Sequence, residues 1–255
     1  MSKLMKTRDD LDPKELRKQA RERFAIANRL EAEYLRALRM LTRQIDHMVK
    51  SMPGRPRELQ KMLQDYAKTI EPWARSVAEK MLLRLARKDE SAWIQLGRHI
   101  GRELRKEINE APTGEMLRKF LDEQVVLITS LPLEAAQRVH TLSLEALITS
   151  TRAKEIAAEI MKTGKVTESR ARLIARTEVA RVASGLTLAR SAHVGVTHYT
   201  WCTSGDMDVR ESHQKMNGKV IPIDQPPEVE PGKHYHPGQF PNCRCWPSPI
   251  FSDED

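Results

Sequence analysis

The chain has 255 residues, of which 31% are charged, 40% hydrophobic and only 5% aromatic. That balance suits one or two helix-rich domains and argues against a β-sandwich, which draws on more aromatic and β-branched residues. Lysine and arginine outnumber aspartate and glutamate by 43 to 35, a net charge of +8. The two signs are interspersed, as in Asp12-Pro13-Lys14-Glu15-Leu16-Arg17-Lys18, so the surplus reads as solvated helix surface that permits nucleic-acid contact without requiring it. No apolar run approaches the ~20 residues of a membrane span, and the first residues do not resemble a secretory signal. Three cysteines cannot all pair within one chain and fit a reducing compartment, so the chain reads as soluble and made in the cytoplasm.

In chain order, the first element is a long helix over residues 13–51. Proline and acidic residues mark its first turn. Phe24, Leu30, Tyr34, Leu38, Leu41, Ile45 and Met48 recur at helical spacing as an apolar stripe. Pro53-Gly54-Arg55-Pro56 breaks it, because proline removes a donor and restricts the residue before it. A second helical stretch runs through Leu59, Leu63, Ile70, Trp73 and Val77 towards Leu85, with a kink expected at Pro72. A third covers 91–110, with Ser91 as its cap, Trp93, Leu96, Ile100 and Leu104 as its stripe, and Pro112 and Gly114 as its end. Residues 116–130 and 133–150 read as two helices separated by Pro132, and 152–161 as one more.

Composition shifts near Thr163-Gly164-Lys165. A further helix over 168–193 places Ala171, Ala175, Val179, Val182, Leu186 and Ala189 on one face at steps of three and four. Strand formers follow at 196–203, then a turn and short strand at 218–223, a Pro/Gly-rich loop at 225–242 and a last structured piece at 243–247. An acidic stretch closes the chain. The expected class is α+β: a mostly helical N-terminal two thirds, residues 1–164, followed by a small α+β C-terminal module, residues 165–255.

The residues with chemical content gather in that module. In order they are Arg176-Thr177-Glu178-Val179-Ala180-Arg181 on the helix, Trp201 in the strand, Asp208-Val209-Arg210-Glu211-Ser212-His213, then Gly218, Pro231-Gly232 and Pro241-Asn242-Cys243-Arg244-Cys245. The ordered series resembles the phage head morphogenesis family, the Mu F-like minor head proteins, from about residue 167 to 249. The resemblance implies a minor, non-enzymatic structural protein of a tailed-phage head, present in few copies. Its implied partners are the portal protein and the major capsid or scaffold protein, with packaged DNA as a further contact. Its implied location is the head interior or portal vertex, and the host cytoplasm during prohead assembly. Some family members are thought to leave the head with the DNA.

Read physically, Glu178 and Arg181 stand three apart on a helix and can pair. Thr177, Arg181 and Ser184 line a neighbouring polar stripe. Arg210 and Arg244 are forks able to clamp a carboxylate such as Glu178 or Asp208. With Arg176 these residues form a candidate structural polar cluster, which fixes a fold rather than carrying out a reaction.

Cys243 and Cys245 are two apart, so both thiols of an extended segment face one side. That arrangement suits two ligands of one soft metal better than a strained disulfide. Zinc needs four ligands. His213, which the family pattern also carries, is the candidate third, and His236 leads the candidates for the fourth, ahead of His234, Asp208 and Cys202. The bland alternative is a pair of reduced core cysteines beside a hydrogen-bonded histidine.

Two enzymatic readings compete with the structural one. A metal-dependent nuclease would use His213, Asn217, His234, His236, Asn242 and the cysteines, with the basic surplus holding phosphates. The adjacent histidines and metal-binding cysteine pairs expected of such an enzyme are missing. A cysteine-nucleophile enzyme would use Cys202 or Cys243 with His213, but no residue can be named that orients the histidine.

Overall fold

A computed structural model describes residues 13–52, 54–100, 113–149 and 153–250. Among the described residues, six helices of at least nine residues come first: α1 (Pro13–Ser51), α2 (Pro56–Thr69), α3 (Glu71–Ile100), α4 (Thr113–Thr149), α5 (Ala153–Met161) and α6 (Thr163–His193). A smaller α+β part follows, with β1 (His198–Cys202), α7 (Glu211–Gln214), β2 (Val220–Pro222), β3 (Glu228–Glu230), β4 (Lys233–His234) and β5 (Trp246–Ile250). The class is α+β, helical over the first two thirds. No helix among the described residues is long and apolar enough to cross a membrane.

The chain divides into two compact units, and α1, α3, α4 and α6 each contribute to both. One unit, built from residues 32–80 and 120–175, has helices joined by turns and no strand among its described residues. Its interior is aliphatic: Leu38, Leu41, Ile45 and Val49 from α1, Leu59 and Leu63 from α2, Ile128, Leu131 and Val139 from α4, and Ala171 and Ile174 from α6 are buried. From Leu30 onwards the stripe expected on α1 is present, but Val49 rather than Met48 closes it, and the Phe24 side chain lies outside the described residues. The three-and-four spacing of a helix with 3.6 residues per turn drifts by one position over that length. A buried hydrogen bond from the Tyr34 hydroxyl to Gln124 Oε1 at 2.9 Å satisfies two polar groups in this interior. Around the edge, Arg39 pairs with Glu168, Arg75 with Asp122, Arg138 with Glu159 and Arg170 with Glu134. Gly164 lies so close to α1 that a Cβ there would stand 2.1 Å from Asp46 Oδ1.

Four punctuation marks in the sequence act differently from expectation. Pro72 does not kink a helix; α2 stops at Thr69 and Pro72 lies in the first turn of α3, where no backbone donor is needed. Ser91 caps nothing, because α3 runs through it and its hydroxyl donates back to the Arg87 carbonyl at 2.7 Å. Residues 101–110 of the expected third helix, and the side chains of its stripe at Trp93, Leu96, Ile100 and Leu104, lie outside the described residues, and Gly114 falls in the first turn of α4 where a helix end was expected. Pro132 lies inside α4, which is one helix where two were expected. Buried Ile128, Leu131, Ala135, Ala136 and Val139 flank the proline on a continuous apolar face. Packing of that face outweighs the ~3 kcal/mol that an interior proline costs. Similarly, α6 begins at Thr163, so the composition shift near residue 164 falls within its first turn.

The other unit takes the later part of α6 and all of the strands, together with residues 81–119 and the segment up to Glu31. A three-stranded antiparallel sheet has the order β2-β1-β5, with Tyr199 opposite both Ile221 and Pro249 and Trp201 opposite Pro247. The prolines of β5 alternate on an edge strand, so their missing N–H groups fall on the unpaired side. The loop expected at 225–242 contains the short β3–β4 pair. The core here is mixed in chemistry, joining Leu188, Met216 and Ile221 to Tyr199, Trp201, Tyr235, Cys243 and Cys245. Asp89 ties α3 to α6 in this unit, accepting from Arg190 Nε at 2.6 Å and from the Thr187 hydroxyl at 3.2 Å.

Candidate metal centre and the loop that carries it

Residues 235–245 form a loop that α6 holds in place. The Asn242 N–H donates to Thr177 Oγ1 at 3.1 Å, and the Ser184 hydroxyl donates to the Pro237 carbonyl at 2.5 Å. Two of the three residues on the polar stripe of α6 therefore anchor this loop. Between them the backbones approach closely. A Cβ on Gly238 would stand 2.9 Å from the Ala180 carbonyl oxygen and 3.2 Å from that of Cys245, and its φ of +83° belongs to glycine in any case. Asn242 takes a φ of +60°, a left-handed conformation that asparagine tolerates better than most residues. The turn is closed by the Cys243 N–H donating to the Phe240 carbonyl at 2.9 Å.

That geometry delivers Cys243 and Cys245 to His213, which arrives on α7. His213 Nδ1 lies 3.4 Å from Cys243 Sγ and 3.5 Å from Cys245 Sγ. The three ligand atoms all fall within 4.8 Å of one another, and the residues are only 2–4% exposed. On the other side of the ring, His213 Nε2 is 3.1 Å from the Tyr235 hydroxyl. Aromatic groups enclose the cluster: Trp201 meets the His213 ring edge-on at 5.7 Å, and Phe240 stacks on Tyr235 at 4.9 Å. The Trp201 indole N–H is buried here and acts on the Cys245 thiol.

The environment separates the two thiols. Cys245 donates to Cys243, and this bond does most to hold Cys243 well below the ordinary thiol range. Burial opposes it; the His213 ring and the backbone N–H groups of Cys245 and Gly238 add to it, the two N–H groups each 3.4 Å from the sulfur. Cys245, as the donor in the pair and buried, is held above that range. Burial likewise pushes the Tyr235 hydroxyl up to about 12, with Glu230 adding to the effect.

None of the residues expected to supply a fourth ligand joins this group. His236 Nδ1 lies 2.9 Å from the Tyr199 hydroxyl, and burial lowers the pKa of its ring. The exposed His234 faces the Pro226 carbonyl, Cys202 donates to the Thr200 carbonyl, and the largely exposed Asp208 sits with Arg244. The polar residues are distributed over separate tasks. Arg181 pairs with Glu178 at 2.7 Å, Arg176 with Glu31 at 3.3 Å, and Arg244 with Asp206 at 2.9 Å and Asp208 at 3.4 Å. Arg210 makes neither of the carboxylate contacts expected of it. Its guanidinium donates to the Pro241 carbonyl at 3.0 Å and lies 4.9 Å from the centre of the Phe240 ring, a cation–π contact that braces the loop.

Sequence reasoning named His213, Cys243 and Cys245 and missed Tyr235, Gly238 and Asp206. Tyr235 stands between the two histidines that drew attention, and Gly238 follows a proline in a dipeptide that marks a turn. Nothing local distinguishes Asp206 from its neighbours.

Residues 137–247 match the family model described as Phage Mu protein F like protein. This stretch of the chain is similar to that family. It begins earlier than the resemblance read from the motifs, taking in the end of α4 and all of α5 and α6, and it contains the whole His213–Cys243–Cys245 group. A protein of Haemophilus influenzae, itself described as uncharacterized, is 34% identical over 131 residues. The match covers 51% of this chain and 28% of that relative, so the chain spans well under half of its relative's length. No solved structure matches the chain.

Proposed function

We propose that the chain is a low-copy, non-enzymatic structural protein of a tailed-phage head that acts in prohead assembly. The observation that carries this reading is the Mu F-like stretch over residues 137–247, with its ordered motifs from Arg176 to Cys245. In this reading the helical front, residues 1–164, docks on portal, major capsid or scaffold protein, and residues 165–255 form the head-morphogenesis module. The protein then resides at the portal vertex or in the head interior, beside packaged DNA, and leaves with the DNA at ejection. Val126 and Leu133 support the docking role: they stand seven apart on α4 and remain 67% and 46% exposed, as the apolar part of a contact surface would.

The nuclease reading has less support. Of the groups it would use, His213, Cys243 and Cys245 are buried among Trp201, Tyr235 and Phe240, and the exposed His234 faces the Pro226 carbonyl instead of joining them. Asn217 is committed to the Thr203 N–H at 3.0 Å. Quantitative mass spectrometry of purified proheads and virions tests the structural reading. The expected result is the chain at substoichiometric level relative to the major capsid protein in proheads. Its absence from both particles would refute the proposal.

A further inference from the structure

We propose that Cys243, Cys245 and His213 bind one zinc ion through their two Sγ atoms and Nδ1, and that a water or another non-protein ligand completes the tetrahedron. Zinc bonds of roughly 2.3 Å to sulfur and 2.0–2.1 Å to nitrogen at tetrahedral angles place the nitrogen about 3.6 Å from each sulfur. The separations here are 3.4 and 3.5 Å. Both nitrogen–sulfur separations thus match such a site, and the two sulfurs lie within 4.8 Å of each other.

Three further features fit a metal better than a plain core. First, one imidazole nitrogen faces two sulfurs and can accept from only one thiol, which leaves the other to donate to its neighbouring sulfur; a cation between all three uses each lone pair. Second, Nε2 lies 3.1 Å from the Tyr235 hydroxyl. The hydroxyl oxygen can accept the Nε2 proton, which leaves Nδ1 free to ligate, in the manner of the outer partner of a metal-bound histidine. Third, N–H groups converge on the sulfurs. Those of Gly238 and Cys245 point at Cys243 Sγ, each at 3.4 Å, and the Trp201 N–H is buried in the same cluster of side chains. Donors in such number suit sulfurs that carry negative charge, as zinc-bound thiolates do. Two thiolates and an imidazole form a soft donor set that selects zinc over magnesium or calcium.

The fourth position goes to a non-protein ligand because, among the described residues, no other histidine, cysteine or carboxylate brings a ligand atom into the group. The burial of all three residues leaves room for a small ligand only. Binding it would join α7 to the segment before β5, across 30 residues of chain from His213 to Cys243.

The test uses full-length protein, purified without a histidine tag under reducing conditions. Elemental analysis is expected to give one equivalent of zinc. Replacement by cobalt(II) is expected to give the intense visible bands of a tetrahedral ion together with sulfur-to-cobalt charge transfer. Two cysteines should resist a thiol reagent until a strong chelator removes the metal, a measurement on wild type that does not depend on how any variant folds. Cys243→Ser and His213→Asn should each abolish stoichiometric zinc. Tyr235→Phe should keep the site but weaken affinity about 10–100-fold. Cys202→Ser and His236→Asn should retain full zinc; loss of metal in either would overturn the three-ligand assignment. Wild type that is folded, metal-free and unable to take up zinc or cobalt overturns the site altogether.

Discussion

The helical unit and the strand-bearing unit solve the same problem with different materials. In the first, long stretches of leucine, isoleucine, valine and alanine bury against one another, and its ion pairs stand at the partly exposed edge. In the second, short strands of two to five residues cannot bury enough aliphatic surface. Their core is completed by aromatic rings, a histidine, two cysteines and a buried ion pair. An aliphatic seam tolerates a misplaced proline, as Pro132 shows, because its energy is spread over many small contacts. A core of paired polar groups is less forgiving, since removing one member strands the other in a poor solvent.

The largest expected effect follows from that asymmetry. Asp89→Ala leaves the Arg190 guanidinium buried without its carboxylate, and should cost about 3–5 kcal/mol. The check is denaturant unfolding, with Arg190→Met in the same background recovering part of the loss. In the helical unit, Leu38→Ala should cost about 2–5 kcal/mol, because a fully buried leucine leaves a cavity. Here Leu38→Met should cost under ~1.5 kcal/mol, whereas no comparably mild replacement exists for Asp89. Equal tolerance at the two sites would break the comparison.

What was legible in the sequence follows the same divide. The apolar periodicity of α1 and α6 reports burial directly, so Leu30, Tyr34, Leu38, Leu41 and Ile45 are found where the spacing puts them. Punctuation is less reliable. Pro72, Ser91 and Pro132 each carry a local signal for a helix boundary, and tertiary packing overrides that signal at Ser91 and Pro132 and re-assigns it at Pro72. At the site, the two-residue spacing of Cys243 and Cys245 was visible locally, and His213 followed from the motif order. Tyr235, Gly238 and Asp89 act across tens of residues, through contacts that no short pattern encodes. Arg210 shows the limit of reasoning from residue type. A guanidinium suits a carboxylate, yet here a carbonyl and an aromatic ring take it.

Smaller effects sharpen the contrast. Gly238→Ala should cost about 1–3 kcal/mol, because its backbone has a φ of +83° and a methyl group would press on the Ala180 carbonyl. Differential scanning calorimetry is the check, and an unchanged melting temperature would show that the loop can move off α6. The mildest effect is a pH dependence. Burial depresses the pKa of His236 in the folded state below its ordinary 6.5. The unfolded chain therefore binds the proton first, and stability should decline as pH falls from that value towards the folded pKa. Following the midpoint of urea unfolding with pH tests this, with His236→Gln expected to flatten the slope in that window.

The central claim is that the strand-bearing unit depends on its sulfur–imidazole cluster while the helical unit stands on aliphatic burial. Hydrogen exchange on the intact chain, with Cys243→Ser compared against wild type, tests it most directly. The account predicts lost amide protection across β1, β2 and β5, with the helical segments within 32–80 and 120–175 keeping theirs. Uniform loss through both units, or unchanged protection in the strands, would contradict it.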